Sequence, residues 1–170
     1  MDRVEFTFGS IGGRDRLLVG VADEWFCRIT IKASSQRGDF VLADFNWDAK
    51  EIFDWFERNQ EHICMEERPE WCLESTIAGS IEVAFESEEV DDEFFDEIYD
   101  YRLRHDLRFA VRGANIPSIY FGCGVSGGEV SAVVDGKIIS VSVDFSAFYF
   151  RLEVQRKYIS ERVKGNYLDM

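Results

Sequence analysis

The sequence predicts an α+β protein in which residues 1–170 form a single domain, with a mostly antiparallel sheet and about three helices packed on it. Alternating polar and apolar residues occupy the first 45 positions, helical spacing follows, and alternation returns after residue 117. A hydrophobic content of 46% and an aromatic content of 15% exclude a largely disordered chain. A chain of this length can bury about 70% of the surface that it exposes when unfolded.

The first part of the chain predicts a β-meander. Four segments have the composition and alternation of strands: VEFTFGSI, RLLVGVA, WFCRITIKA and DFVLADF. The sequences between them, GGRD, DE and SSQRG, are typical of turns.

A helix is predicted next, within the segment NWDAKEIFDWFERNQEHIC. Asp48 is a candidate N-cap with Glu51 three residues later, and Pro69 is expected to end the helix. Its apolar residues recur at helical spacing: Ala49, Ile52, Phe53, Phe56 and Ile63.

The segment STIAGSIEVAFES, which follows Pro69, is predicted to be a strand. Ile81, Val83 and Phe85 alternate there with other residues, as in a half-buried strand.

Residues 86–101, ESEEVDDEFFDEIYDY, contain nine carboxylates and no basic residue. On a helical wheel, the apolar residues form one arc, which we expect to face the core: Phe94, Phe95, Ile98, Tyr99 and Tyr101. The carboxylates fall on the opposite side: Asp92, Glu93, Asp96, Glu97 and Asp100. The apolar pattern rotates beyond Tyr101, which predicts a bend or break near residues 101–105.

The C-terminal part predicts further helices and strands. RLRHDLRFAVRGAN reads as helical and is stopped by Gly113, Asn115 and Pro117. SIYFGCGV and EVSAVVDGKIISVSV predict a hairpin or three-stranded meander with a turn at residues 135–136. A last helix is expected to begin at Asp144 or Ser146 and to end at Gly165.

The net charge of −14 is unevenly distributed. Residues 69–101 carry 12 acids and no base, whereas residues 102–170 carry 7 acids against 10 bases. Such a protein is repelled by nucleic acid and by anionic membranes, and it attracts basic partners over the Debye length. The N-terminus lacks the pattern of a signal peptide and no apolar run is long enough to span a bilayer, so a cytoplasmic protein is expected.

Gly122, Gly124 and Gly127 spell G-x-G-x-x-G after a predicted strand, as in dinucleotide-binding folds. That mechanism requires a helix immediately afterwards, and the sequence that follows predicts a strand and a tight turn. We therefore expect a glycine-rich hairpin loop and no cofactor.

Metal and catalytic sites are weakly indicated. His62, Cys64 and Cys72 lack the paired close spacing of structural zinc ligands, and the acidic segment lacks the glycine of a calcium loop. The four cysteines predict buried, reduced thiols. The two histidines lie in helical patterns away from any nucleophile motif. We expect no metal and no catalytic residue.

The acidic segment is the candidate binding surface, because its carboxylates are like-charged at i, i+4 and a basic partner would relieve their repulsion. The candidate partner-binding residues are Glu86, Glu88, Glu89, Asp91, Asp92, Glu93, Asp96, Glu97, Tyr99 and Asp100.

Residues 99–154 resemble the C-terminal part of bacterial immunity proteins of polymorphic-toxin and contact-dependent growth inhibition systems. The matching features are an aromatic-rich helix with a His-x-Leu-Arg segment, a Gly, a Pro, an I-x-F strand, a Gly turn and a closing helix. The residues that carry them are His105, Leu107, Arg108, Gly113, Pro117, Ile119, Phe121 and the helix from Asp144. The loop GCGVSGGE departs from the pattern.

The resemblance implies a non-enzymatic protein that neutralises a cognate basic toxin domain, in many such systems a nuclease, with aromatic residues beside the acids as anchors. Two alternatives remain. One is an acidic adaptor domain for a basic cellular protein. The other is a small-molecule enzyme with a carboxylate site, which requires a deep pocket holding carboxylates of raised pKa.

Overall fold

The computed structural model describes residues 2–9, 25–87 and 91–168, with only the backbone of residues 163–168. The predicted strand RLLVGVA and the candidate binding residues Glu88 and Glu89 lie outside the described residues. The described elements are β1 (Arg3–Gly9), β2 (Phe26–Ser35), β3 (Gly38–Asp48), α1 (Ala49–Met65), α2 (Ile77–Glu86), α3 (Asp92–His105), a 3₁₀ helix (Leu107–Ala110), β4 (Ile119–Gly124), β5 (Gly127–Val134), β6 (Lys137–Ser142) and α4 (Phe145–Leu168). The predicted α+β class is confirmed.

The strands form two antiparallel three-stranded sheets, in the orders β1-β2-β3 and β4-β5-β6. In each sheet the order of the strands follows their order along the chain. In β2 the side chains alternate as the pleat requires, with four of them fully buried: Cys27, Ile29, Ile31 and Ala33. The predicted turn at residues 135–136 is confirmed: Asp135 and Gly136 join β5 to β6, both with positive φ.

Helix α1 follows the prediction closely. Its five apolar residues at helical spacing are all buried, and the side chain of Asp48 accepts a hydrogen bond from the Lys50 backbone N–H. The Glu51 side chain instead accepts from Trp47 Nε1, at 2.5 Å, and the helix ends at Met65, before Pro69. Asp48 also accepts from the Trp25 backbone N–H, which ties the start of α1 to the approach to β2.

The strand predicted over residues 75–87 is wrong, because this segment forms α2. Its buried residues include Ile77, Ile81 and Ala84, which are spaced as one helical face, whereas Val83 and Phe85 are exposed. The Thr76 side chain caps the helix by accepting from the Gly79 backbone N–H. The described residues therefore contain four α-helices rather than about three.

Tertiary contacts explain why α2 forms despite its strand-like sequence. The Glu129 side chain accepts a hydrogen bond from the Ile77 backbone N–H at 2.8 Å, and Ser131 Oγ accepts from the Ala78 N–H at 3.0 Å. Both acceptors lie on β5, about fifty residues away in sequence. These hydrogen bonds satisfy N–H groups that a helix leaves without an intrahelical partner at its N-terminus.

The predicted break near residues 101–105 is confirmed, since α3 ends at His105 and a separate 3₁₀ helix follows. The helix predicted to continue toward Gly113 is therefore interrupted. The last helix begins as predicted, with Asp144 Oδ1 accepting from the Ala147 backbone N–H, but it extends to Leu168 rather than ending at Gly165.

The larger core cluster contains residues of both sheets and of α1 and α4. Phe56 of α1 lies at its centre, with ring contacts to Phe6, Phe121 and Phe148 from three other elements. A smaller cluster joins α2 and α3 to the second sheet; it consists of Ile77, Ala78, Ile81, Tyr101 and Tyr120. This arrangement places the outer faces of α2 and α3 at the surface, which is where the candidate site lies.

Candidate functional site

Helix α3 presents the predicted acidic residues to solvent. Asp91 caps the helix, since its Oδ1 accepts from the Phe94 backbone N–H at 2.8 Å. The helical carboxylates are all exposed: Asp92, Glu93, Asp96, Glu97 and Asp100. Glu86, also exposed, is the last residue of α2. The structure thus brings seven of the nine predicted carboxylates onto or next to α3, and the other two are the undescribed Glu88 and Glu89.

None of the carboxylates of α3 forms an ion pair with a described residue. Glu97 has one partner, because its Oε1 accepts a hydrogen bond from Trp71 Nε1 at 3.0 Å. Asp92, Asp96 and Asp100 follow one another at i, i+4, so each neighbouring pair repels. The helix therefore carries a row of exposed negative charge, which only Arg104 offsets within the described fold, through its interaction with Asp100 one turn before it.

Fewer apolar residues of α3 face the core than the sequence predicted. Ile98 and Tyr101 are buried, and Phe94 is half-buried against Trp71, with ring centroids 6.1 Å apart. Phe95 and Tyr99, which we expected to face the core, are 47% and 43% exposed. They lie instead on a second, aromatic side of the acidic helix, at the surface.

These exposed rings belong to an aromatic strip, formed by Phe85, Phe95, Tyr99 and Phe109. Phe85 of α2 contacts Phe95 edge to face at 5.7 Å, and Phe109 of the 3₁₀ helix contacts Tyr99 in the same way at 5.6 Å. The Arg102 guanidinium lies between the two pairs, 5.4 Å from the Phe85 ring centroid and 5.7 Å from that of Phe109. The strip therefore joins α2, α3 and the 3₁₀ helix along one edge of the acidic row.

Phe109 also lines an open cleft of about 800 Å³ beside α1. The cleft carries three further carboxylates on successive turns of α1: Glu51, Asp54 and Glu57. The rest of its wall includes two arginines, Arg58 and Arg112, and Arg112 stacks on Phe109 at 5.2 Å. The aromatic strip thus ends in a cleft of mixed charge, in which Asp54 and Glu57 are paired with Arg156.

Asp106 fixes the base of the strip. It is fully buried, and its Oδ2 accepts a hydrogen bond from Arg102 at 2.9 Å. Its Oδ1 accepts from the Arg108 backbone N–H, which starts the 3₁₀ helix that carries Phe109. Burial raises the pKa of Asp106, and the hydrogen bonds from Ser118 and Arg102 oppose that increase. Its role is to hold Arg102 between the aromatic pairs.

His105, the residue at the end of α3, is fully buried, and both ring nitrogens have partners. Nδ1 lies 2.7 Å from the Phe121 carbonyl oxygen and Nε2 lies 3.2 Å from Glu66 Oε2. Tyr101 stacks on the ring at 4.1 Å. Burial lowers the pKa of His105, although the hydrogen bonds to Phe121 and Glu66 partly counteract this. A ring enclosed in this way is a structural group rather than an accessible general base.

Glu66 joins α1 to α3. Arg104 donates to both of its carboxylate oxygens, at 2.7 and 3.0 Å, and His62 lies 2.9 Å from Oε2. Burial raises the pKa of Glu66, but the hydrogen bonds from Arg104 and His105 outweigh it and lower the pKa to about 2. This carboxylate is therefore ionised and fully engaged in contacts within the fold.

The enzyme alternative requires a deep pocket holding carboxylates of raised pKa. Asp106 has such a pKa, but neither it nor His105 lines the cleft beside α1. Both groups are fully buried among protein partners.

The glycine-rich motif forms the β4–β5 hairpin, as predicted for its loop. Gly122 and Gly124 are needed there for close approach. A Cβ on Gly122 would lie 2.9 Å from His105 Nδ1, and one on Gly124 would lie 2.5 Å from Glu129 Oε2. These glycines make room for the side chains that anchor α3 and α2.

The cysteines are free thiols, as predicted; Cys27 and Cys72 are buried, and Cys64 and Cys123 are half-buried. Burial raises the pKa of Cys27 to about 12 and also raises the pKa of Cys64 and Cys123. Thiols in such environments are poor nucleophiles. Among residues 2–9, 25–87 and 91–162, no three His, Cys, Asp or Glu side chains are grouped so as to hold a metal ion.

No protein-family model, curated protein or solved structure matches this chain. Within the described segments, no helix combines the length and the apolar composition needed to cross a membrane.

Sequence reasoning missed Phe85, Arg102 and Phe109 as members of the surface. The sequence pattern predicts a strand at Phe85 and a helix at Phe109. It therefore gives no indication that both rings contact Arg102. One available signal was the helical spacing of the buried residues of α2, which leaves Phe85 outside the buried face.

Proposed function

We propose that this chain is a non-enzymatic immunity protein that binds and neutralises a basic toxin domain, such as a nuclease, in the bacterial cytoplasm. The observation that carries the proposal is the row of exposed carboxylates on α3, none of which has an ionic partner among the described residues. The binding surface consists of this row together with the aromatic strip.

The acidic row favours a basic partner for an energetic reason. Each like-charged i, i+4 pair destabilises a helix by about 0.2–0.5 kcal/mol, and a cationic partner converts this repulsion into attraction. The helix dipole compensates near the N-terminus, at Asp92 and Glu93, and Arg104 partly compensates Asp100, so the repulsion falls chiefly on the middle of the row. A partner that places Lys or Arg along the row would also associate faster by electrostatic steering.

The aromatic strip supplies the apolar contacts that a charged surface lacks. Phe85, Phe95 and Tyr99 are each 42–47% exposed, so their rings have free area although the contacts between them fix their positions. Aromatic and Arg side chains held rigidly are the residue types that dominate binding energy at protein interfaces. Acidic residues around such a centre form the polar rim of an interface.

The choice of a toxin as partner rests on the resemblance of residues 99–154 to immunity proteins. A nuclease binds its substrate in a basic groove, and a row of carboxylates can occupy that groove in place of nucleic acid phosphates. Aromatic anchors next to the row suit a protein surface rather than a small molecule. Inhibition then requires no chemistry by this chain.

The test is co-expression with the product of the adjacent upstream gene. We expect this chain to restore growth and to co-purify with that product, and we expect the co-purification to weaken as salt is raised. A partner that neither harms growth nor binds this chain would contradict the proposal.

A matched pair of variants identifies the surface. The first neutralises the row with Asp92→Asn, Glu93→Gln, Asp96→Asn and Asp100→Asn, leaving the Asp91 cap and the Glu97 contact with Trp71 in place. The control makes the same change in net charge at exposed acids of other elements: Asp39→Asn, Glu61→Gln, Asp135→Asn and Glu161→Gln.

We expect the row variant to slow association with the partner at least about tenfold at low salt, and the control to change it much less. Because both variants carry the same net charge, the difference between them measures the position of the charge rather than its total. Equal association rates for the two variants would place the interface elsewhere.

A further inference from the structure

Each of the two described sheets has two edge strands, and three of these four edges are covered or interrupted. At the edge of β1, Gln155 Nε2 of α4 donates to the Phe6 carbonyl oxygen, at 2.6 Å. At the edge of β4, His105 Nδ1 lies 2.7 Å from the Phe121 carbonyl oxygen. In β3 the pairing with β2 skips Leu42, which forms a β-bulge. Covers and bulges of this kind keep a sheet from adding further strands.

The hairpin geometry shows which main-chain groups of β6, the fourth edge strand, face outward. Residues 135–136 form a two-residue turn, with φ of 50° and 71°, as in type I′ hairpins. The residues that flank such a turn, Val134 and Lys137, bond to each other, and alternate pairs beyond them do the same. Val143 follows this alternation, because its N–H donates to the Gly128 carbonyl oxygen at 2.8 Å. The odd-numbered residues of β6 therefore bond to β5, and the even-numbered residues face away from it.

The outward residues of β6 are Ile138, Ser140 and Ser142. All three are exposed, and the described part of the chain places no strand beside them other than β5. Each therefore offers one N–H donor and one C=O acceptor at the open edge. The edge also lacks the features that usually protect one, since these positions carry no charge and no proline and the register with β5 is continuous. An edge of this kind is a template for another strand.

An open groove of about 430 Å³ lies along this edge. Residues 137–140 of β6 form one wall, and the β2–β3 turn and the start of β3 form the other. Val41 and Ile138, each 51% exposed, place an apolar side chain on each wall. The groove has no net charge, because its charged residues are two of each sign: Arg37, Asp39, Asp135 and Lys137. It therefore differs from the acidic row in the kind of partner that it suits.

We propose that β6 accepts an extended peptide segment of a partner protein as a fourth strand of the second sheet. The outward main-chain groups of β6 bind the backbone of the segment, and alternate side chains of the segment contact Val41 and Ile138. The second wall favours a single extended chain over another folded sheet, because a folded partner would also have to clear the β2–β3 turn. Binding should depend little on salt, since the groove is neutral.

The experiment selects peptides that bind the full chain from a library of random ten-residue peptides displayed on phage. The selected peptides should bind Ser140→Pro at least about tenfold more weakly than the wild type, because proline removes an outward donor and its ring obstructs the added strand. This substitution removes no hydrogen bond within the sheet, since the N–H of Ser140 faces away from β5. Ser140→Ala keeps the main chain and is the matched control, which should bind like the wild type.

Methylation of the peptide backbone tests the same pairing without any change to the protein. Methylating one amide of a selected peptide at a time should weaken binding at every second position, because only alternate N–H groups of an added strand face β6. Contacts through side chains alone would not produce this alternation. Far-UV circular dichroism checks that Ser140→Pro remains folded, and the methylation series decides the question if it does not.

Amide hydrogen exchange follows the pairing from the side of the protein. In the free chain, the N–H groups of Ile138, Ser140 and Ser142 should exchange rapidly and those of Ile139 and Val141 slowly, and a bound peptide should slow the first three. Slow exchange of these three in the free chain would show that the edge is already covered, by this chain or by a second copy, and would overturn the proposal.

Three results of the peptide experiments would also overturn it. These are a selection that yields no binding peptide, peptides that bind a folded Ser140→Pro as tightly as the wild type, and methylation effects without alternation. The variant with a neutralised acidic row should bind the selected peptides like the wild type. The edge of β6 is thereby tested independently of the surface on α3.

Discussion

The charged residues in the two halves of α3 differ in whether they form ion pairs. From Asp92 to Asp100 the carboxylates are exposed and have no ionic partner among the described residues, whereas Arg102 and Arg104 pair with Asp106 and Glu66. The same helix thus carries exposed carboxylates without ion pairs in one half. Its other half carries arginines that form ion pairs with partly or fully buried carboxylates. The difference separates the residues that hold the fold together from those available to a binding partner.

The largest effect should come from comparing two aspartates at the end of the same helix. Asp106→Ala removes a fully buried carboxylate that binds Arg102 and the Arg108 backbone N–H, and we expect it to cost about 3 kcal/mol of unfolding free energy. Asp100→Ala, at an exposed position, should change it by no more than about 0.5 kcal/mol. Urea unfolding of both variants measures the difference, and similar costs would show that the two halves do not differ in this way.

A second pair of variants sharpens the comparison with glutamates. Glu66→Gln removes the negative charge that Arg104 and His105 share, and should lower the unfolding free energy by about 1–2 kcal/mol. Glu97→Gln keeps an oxygen to accept from Trp71 Nε1, so its effect should be a few tenths of a kcal/mol. If Glu97→Gln were the more harmful of the two, the exposed half would have a structural role.

The paired half should also make the stability depend on pH. Burial lowers the pKa of His105 below its ordinary 6.5, so the unfolded chain binds a proton before the folded one does. This contribution is present above pH 6.5 and is lost as the pH falls below it, by at most about 1.4 kcal/mol per pH unit for one proton. The pKa of Asp106 is raised, so its contribution to the unfolding free energy decreases as the pH rises from about 3.8. The variant His105→Gln keeps Asp106, so the difference between wild type and variant isolates the contribution of His105. A wild-type stability that tracks that of the variant from about pH 7.5 to 5.5 would mean that folding does not change the pKa of the imidazole, which would contradict this prediction.

The sequence was informative where local pattern and tertiary structure agree. The end of α3 was predicted because the apolar arc rotates after Tyr101, and the structure places the buried His105 at that position. The apolar residues of α1 were identified because all five face one side and that side packs in the core. In both cases the helical period carries the information.

The sequence failed where distant residues decide the outcome. Helix α2 depends on Glu129 and Ser131, which lie about fifty residues further along the chain and bind its first N–H groups. The aromatic strip depends on Arg102, which Asp106 holds between Phe85 and Phe109. No local pattern reports such contacts, so the carboxylates of the candidate site were predictable and its aromatic half was not.

The smallest expected change in stability tests whether the exposed carboxylates of α3 repel one another. Asp96 has a like-charged neighbour at i−4, Asp92, and another at i+4, Asp100. Asp96→Asn relieves both repulsions and should raise the unfolding free energy by about 0.4–1 kcal/mol at low salt. The gain should shrink in about 1 M salt, where the Debye length is about 3 Å, which provides the control within the same variant. Under the proposed function, the carboxylate of Asp96 contributes to binding a basic partner. The same variant should therefore bind that partner more weakly while being more stable, and a variant that neither gains stability nor loses affinity would indicate an ordinary solvated helix.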